Sequence, residues 1–186
     1  MSTFIARKRF TVADYYRMAE TGIIHRDDRV ELLDGEVRVM SPIGSWHAGV
    51  ASRLHAMLAE NLKRTAIITV QRPMRLGDFD EPEPDIAVLH LRDDFYTRSH
   101  PTPADVLLII EVADSSIDYD RDEKLPRYAA AGVPEVWLID IAGEAIEQFR
   151  EPRDSRYQSV KSFAGSEQCV SQLLPAVEVT IAELLA

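Results

Sequence analysis

The chain has 186 residues, 46% of them hydrophobic, a formal net charge of −10 and one cysteine, Cys169. That length and apolar fraction allow one domain, 1–186, with a real core, and the lone cysteine excludes an internal disulfide or a cysteine-built metal site and fits a reducing cytoplasm. No apolar run is long enough to span a bilayer, and the acidic balance argues against tight non-specific grip on nucleic acid, though not against transient phosphodiester chemistry.

The N-terminus, MSTFIARKRF, is basic but lacks the apolar stretch of a signal peptide. Thr11 with Asp14 three residues on predicts a capped helix start, with Phe10 stapling onto Tyr15 and a stop near Gly22. Asp34-Gly35 is the best short hairpin signal in the chain and predicts antiparallel strands over about 29–33 and 36–41. Ser41-Pro42-Ile43-Gly44-Ser45 is a turn into a long helix, about 45–63, with Ser45 as its cap and Val50, Leu54, Met57, Leu58 and Leu62 at helical spacing. A strand is expected from Ala66 to Val70, ended by Gln71-Arg72-Pro73, with a short continuation from Met74 to Leu76.

Two short β-branched runs follow, Ile86–Leu89 and Val106–Ile110, separated by a polar loop from His90 to Asp105. Both read as buried strands. Pro126 places the start of the next helix near Asp122 or Glu123, because proline is tolerated in the first turn. That helix ends at Gly132. PEVWLIDI is a further buried strand, Ala145–Arg150 and Tyr157–Phe163 are outer strands around the EPRDS turn, and Thr180 with Glu183 caps a small terminal helix. The pattern is α/β, with a mixed sheet.

Three ionisable groups stand out. Asp85 opens the first buried run, Glu111 closes the second, and Lys124 lies on the following helix. A carboxylate at the edge of a buried strand is costly unless something compensates it. Two of them on adjacent strands can converge on Mg²⁺, which takes few carboxylates, several waters and substrate phosphate oxygens. The plainer alternative is that Asp85 caps a turn and Glu111 pairs with a core arginine. Lys124 would orient water or stabilise developing charge, or else stand exposed on its helix. Glu31 is a third acid, or faces solvent on an alternating strand. His47 and His55 share one face of the long helix; His47 near Glu31 would supply a base or a phosphate contact. Tyr128 packs and positions the Lys124 helix.

At these residues the sequence resembles the Uma2-like (DUF820) proteins of the PD-(D/E)xK nuclease superfamily. The resemblance runs through VELLDGEV, SPIGSWH, Gln71-Arg72-Pro73, EPEPDIAVL, IIEVADSS and YDRDEKLPRYAAAGVPEVWLID. It implies a restriction-endonuclease-like α/β core, a mixed β-sheet flanked by helices, here with an N-terminal helix and β-hairpin. It implies Mg²⁺ dependence, with Mn²⁺ as a substitute, and phosphodiester hydrolysis; on the leading reading the metal would be held by Asp85, Glu111 and the backbone carbonyl of Val112. The superfamily lysine two residues after the acid is replaced by Ala113, and Lys124 matches the displaced lysine. Glu31 would support the metal or the lysine, and His47, Gln71 and Tyr128 would complete the site.

The leading expectation is therefore a Mg²⁺-dependent endonuclease acting on DNA, with Asp85→Ala and Lys124→Ala abolishing cleavage while leaving the fold intact. A homodimer would suit a duplex with two strands to cut. The alternatives are a catalytically inactive nuclease-fold binding or assembly module, and a hydrolase of another phosphate ester.

Overall fold

The computed structural model describes residues 7–186, so the first six residues of the basic N-terminal stretch lie outside the described residues. The chain opens with helix α1 (Val12–Glu20). Thr11 caps it as the sequence predicts: its hydroxyl accepts from the Asp14 N–H while the Asp14 carboxylate returns to the Thr11 N–H. The hairpin of β1 (Val30–Leu33) and β2 (Glu36–Val39) turns at Asp34-Gly35. Gly35 has φ +71, and a Cβ there would meet Arg9 Cβ at 2.7 Å, so only glycine fits.

Helix α2 (Ser45–Leu62) has Gly44, not Ser45, at its N-cap, with no side-chain cap bond. Strands β3 (Ile67–Val70), β4 (Ile86–Leu89) and β5 (Val106–Ala113) follow. Met74 to Leu76 is not a strand. Its N–H groups go to three separated carbonyls, those of Pro82, Pro101 and Asp80, and Met74 fills the core instead.

The helix after β5 begins earlier than Pro126 suggests. A helical turn, α3 (Ile117–Tyr119), runs into a π-helical turn over Asp120–Lys124 and then into α4 (Leu125–Ala131). Leu125 donates to the Asp120 carbonyl, five residues back. Pro126 does stand in the first turn of α4, where its missing N–H is tolerated, but the wider π turn lets the chain be helical before it.

Strand β6 (Glu135–Asp140) leads to the hairpin of β7 (Ala145–Arg153) and β8 (Arg156–Ala164), which turns at Asp154-Ser155 alone rather than over all of EPRDS. A two-residue pair, β9 (Cys169–Val170) with β10 (Glu178–Val179), precedes α5 (Ile181–Leu185), which Thr180 and Glu183 cap as the sequence predicts.

The central sheet has the order β3-β4-β5-β6-β7-β8. Only the β5–β6 pairing is parallel. It is a mixed sheet with helices on both faces. Because strand side chains alternate, Leu108, Ile110 and Val112 pack under Val50, Leu54 and Leu58 of α2, while Ile109 and Ala113 pack with Leu125 and Tyr128 of α4. A strand covered on both faces reads as an unbroken apolar run, and Glu111 interrupts it on the α4 face. Among the described residues no helix is long and apolar enough to cross a membrane.

Candidate active site

The hairpin is held to the segment leading into β4 by paired backbone bonds between Leu32 and Glu81. That contact carries Glu31 toward Asp85. Glu31 is 1% exposed, so it does not face solvent as strand alternation would allow. Asp85 ends the acidic turn directly before β4, and its neighbour on the sheet is the end of β5. There the Asp85 N–H donates to Glu111 Oε2 at 3.3 Å, and the Val112 N–H donates to Asp85 Oδ2 at 2.9 Å. The two predicted acids are thus joined through backbone on adjacent strands.

Lys124 reaches this point from the π turn. Its Nζ lies 3.3 Å from Glu111, 3.6 Å from Glu31 and 3.9 Å from Asp120. Glu111 pairs with this lysine rather than with an arginine, and Lys124 is 6% exposed rather than a solvent-facing helix residue. Tyr128, one turn on, is more than a packing residue: its hydroxyl donates to Glu111 Oε1 at 2.6 Å. His47 meets Asp85, not Glu31, with Nε2 at 2.9 Å from Oδ1, and Gln71 Nε2 donates to the same oxygen at 3.3 Å. His55 is exposed and does not line the cavity.

Glu31, His47, Gln71, Asp85, Glu111 and Lys124 all line one cavity of about 350 Å³; Tyr128 lies behind Glu111. The cavity also includes residues that sequence reasoning missed. The Tyr119 hydroxyl donates to Glu31 Oε1 at 2.9 Å, and buried Asp120 accepts from the Ser116 hydroxyl at 2.7 Å. Both lie in the DYDRDEK run, ahead of the helix start that Pro126 suggests. The acid and tyrosine density of that run was the available signal.

The electrostatics are those of crowded acids. Six carboxylates (Glu31, Glu83, Asp85, Glu111, Asp114 and Asp120) line the cavity with one lysine, one arginine and one histidine. Burial pushes Glu111 up to about 8 although Lys124 pulls it down. Burial likewise raises Asp120. Burial also opposes charge on Asp85, but the His47 hydrogen bond and charge and the Val112 N–H outweigh it and its pKa is lowered. The Asp85 bond in turn raises His47 against its desolvation. Desolvation works against the Lys124 ammonium, yet Glu111, Glu31 and Asp120 together raise its pKa.

Among the described residues no three His, Cys, Asp or Glu side chains are grouped to cage a metal by themselves. Mg²⁺ does not require such a cage, since it is commonly held by one or two carboxylates and completed by water and phosphate. A carboxylate has about four lone-pair sites. The hydrogen bonds above occupy three on Asp85 and three on Glu111. One site remains on Asp85 Oδ2 and one on Glu111 Oε2. The donor chemistry and the surplus negative charge therefore fit a hard divalent cation.

Comparison with known proteins bears on this geometry. The Uma2 family model, described as "Putative restriction endonuclease", matches residues 12–182. No curated protein matches. Among solved structures, a "putative nuclease belonging to DUF820" from Anabaena variabilis is similar at TM-score 0.73 and 15% identity, over 95% of this chain and 97% of that one. At that identity the likeness concerns the fold. The type IIG restriction endonuclease BpuSI aligns at TM-score 0.43 and 17% identity, over 80% of this chain and 17% of its own.

Proposed function

The chain belongs to the Uma2 family, and from that premise we propose that it is a divalent-metal-dependent nuclease hydrolysing phosphodiester bonds in DNA, with Mg²⁺ as the working cation and Mn²⁺ as its substitute. The observation that carries the reading is the convergence of Asp85 and Glu111, on adjacent strands, with a buried Lys124. A structural ion pair would balance its charges; this cluster keeps an excess of buried carboxylate.

Asp85 Oδ2, Glu111 Oε2 and the Val112 carbonyl would hold the metal. A strand residue turns its N–H and C=O toward the same neighbour, so the bond from the Val112 N–H to Asp85 directs that carbonyl to the same side. The cation, when bound, supplies charge neutralisation at the phosphate and a water of lowered pKa. Lys124 keeps its positive charge beside the reacting phosphate and stabilises negative charge developing there. Glu31, itself fixed by Tyr119 and the Glu83 N–H, holds the ammonium in place. His47 and Gln71 fix the Asp85 carboxylate, and Tyr128 fixes Glu111.

The test is cleavage of supercoiled plasmid and of single-stranded DNA with Mg²⁺ or Mn²⁺, run beside the Asp85→Ala protein. Metal-dependent cutting by the wild type and its loss in Asp85→Ala are expected. Equal cutting by the two proteins would end the reading.

A further inference from the structure

We propose that the cavity takes an unpaired strand, and that single-stranded nucleic acid rather than intact duplex is its ligand; the chemistry done on that strand rests on the nuclease reading above. Four observations point there.

The first is depth. Glu111 and Lys124 have side chains only 2% and 7% exposed, and Asp85 13%. A phosphate must enter the cavity to meet them. At about 350 Å³ the cavity is near the lower end of the roughly 300–1,000 Å³ common for small-molecule pockets. It has room for a nucleotide but not for a stack of base pairs.

The second is the mouth. The turn before α2 and the turn after β5 approach each other across it: a Cβ on Gly44 would sit 3.4 Å from Asp114 Oδ2. The first of these turns is tied down, since Arg29 donates to the Ser41 carbonyl at 2.9 Å and the Met40 N–H returns to the Arg29 carbonyl. A duplex would have to part these rims, whereas a strand end or an everted nucleotide would not.

The third is charge. Proteins that grip duplex DNA through its backbone neutralise several phosphates with lysine and arginine. Among the described residues, the only lysine and arginine on the cavity wall are Lys124 and Arg29. Lys124 is already shared by three carboxylates, and Arg29 is bound to Ser41.

The fourth is the apolar rim. Val39 and Ile43 line the cavity yet are 84% and 39% exposed. Exposed apolar side chains at a mouth offer contact to base faces. In a duplex those faces are covered by neighbouring pairs, and in a single strand they are available.

The experiment is fluorescence anisotropy of wild-type protein with one labelled DNA oligonucleotide, offered as single strand and as blunt duplex. Ca²⁺ replaces Mg²⁺ so that binding is read without turnover. Ile43→Asp and Val39→Asp, both at exposed positions, are measured alongside. A preference for single strand of about ten-fold or more is expected, reduced several-fold in either rim variant. Equal or tighter binding of duplex, or binding of neither form, would overturn the proposal. The same oligonucleotides are then incubated with Mg²⁺ and Mn²⁺. Preferential binding of the single strand without cleavage would sink the nuclease reading and leave this one standing.

Discussion

Lys124 sits among Glu31, Glu111 and Asp120 with almost no solvent to screen them. Removing one partner from such a cluster leaves the others uncompensated, at a cost of roughly 3–5 kcal/mol. The sequence-based expectation that Lys124→Ala leaves the fold intact therefore needs amending. The variant is expected to lose stability on that scale in urea denaturation near neutral pH. The loss should shrink as pH falls, because Glu111 and Asp120, both raised by burial, no longer need the ammonium once protonated. An undiminished loss at low pH would mean that packing, not charge, is what Lys124 contributes. Tyr128→Phe is a milder probe. It deletes the 2.6 Å hydrogen bond to Glu111 and is expected to cost about 1 kcal/mol, the usual net worth of a hydrogen bond. Because that bond holds Glu111 down, its loss should raise the Glu111 pKa further, which NMR titration of the carboxyl would detect.

At the scale of elements, what the sequence made legible was whatever local chemistry decides. Thr11 and Thr180 announce their helices because a hydroxyl and an acid three residues on satisfy each other's backbone groups. Asp34-Gly35 announces its hairpin because it tolerates positive φ. Asp85 and Glu111 could be picked out as acids at strand ends. What stayed hidden depends on tertiary partners. The π turn exists where Lys124 must reach the carboxylates, and Pro126 alone suggested a later start. Glu31 is buried because the segment at Glu81 covers the hairpin, a contact that alternation along β1 cannot report. The β9–β10 pair is too short to show a pattern. It is tied to the sheet by Glu135, whose carboxylate accepts from Trp137, Gln148, the Ser171 hydroxyl and the Gln172 N–H. Glu135→Ala would orphan those buried donors and is expected to cost on the order of 3 kcal/mol. Hydrogen exchange should quicken at β9 and β10 while the Asp85–Glu111 contact persists. Unchanged exchange there would show that the carboxylate is not what holds this pair.

For the whole molecule, the net charge of −10 and the acid-rich cavity belong together. Excess buried carboxylate destabilises a folded chain unless a cation neutralises it, so a divalent ion should stabilise the entire protein and not only order a loop. The core itself is closed. Cys169 is 0% exposed, and burial, with Glu135 nearby, pushes its thiol up to about 12. It should therefore react with a disulfide reagent only through opening of the fold. Labelling rates should track urea-induced unfolding, and fast labelling of native protein would contradict the closed core. On the proposed function, Asp85 and Glu111 hold a divalent cation. The most direct test is calorimetric titration of Mn²⁺ into wild-type and Asp85→Ala protein, with folding of both checked by circular dichroism. A saturable heat in the wild type that is lost in folded Asp85→Ala is the expected result. The same heat in both proteins, or none in the wild type, would contradict it.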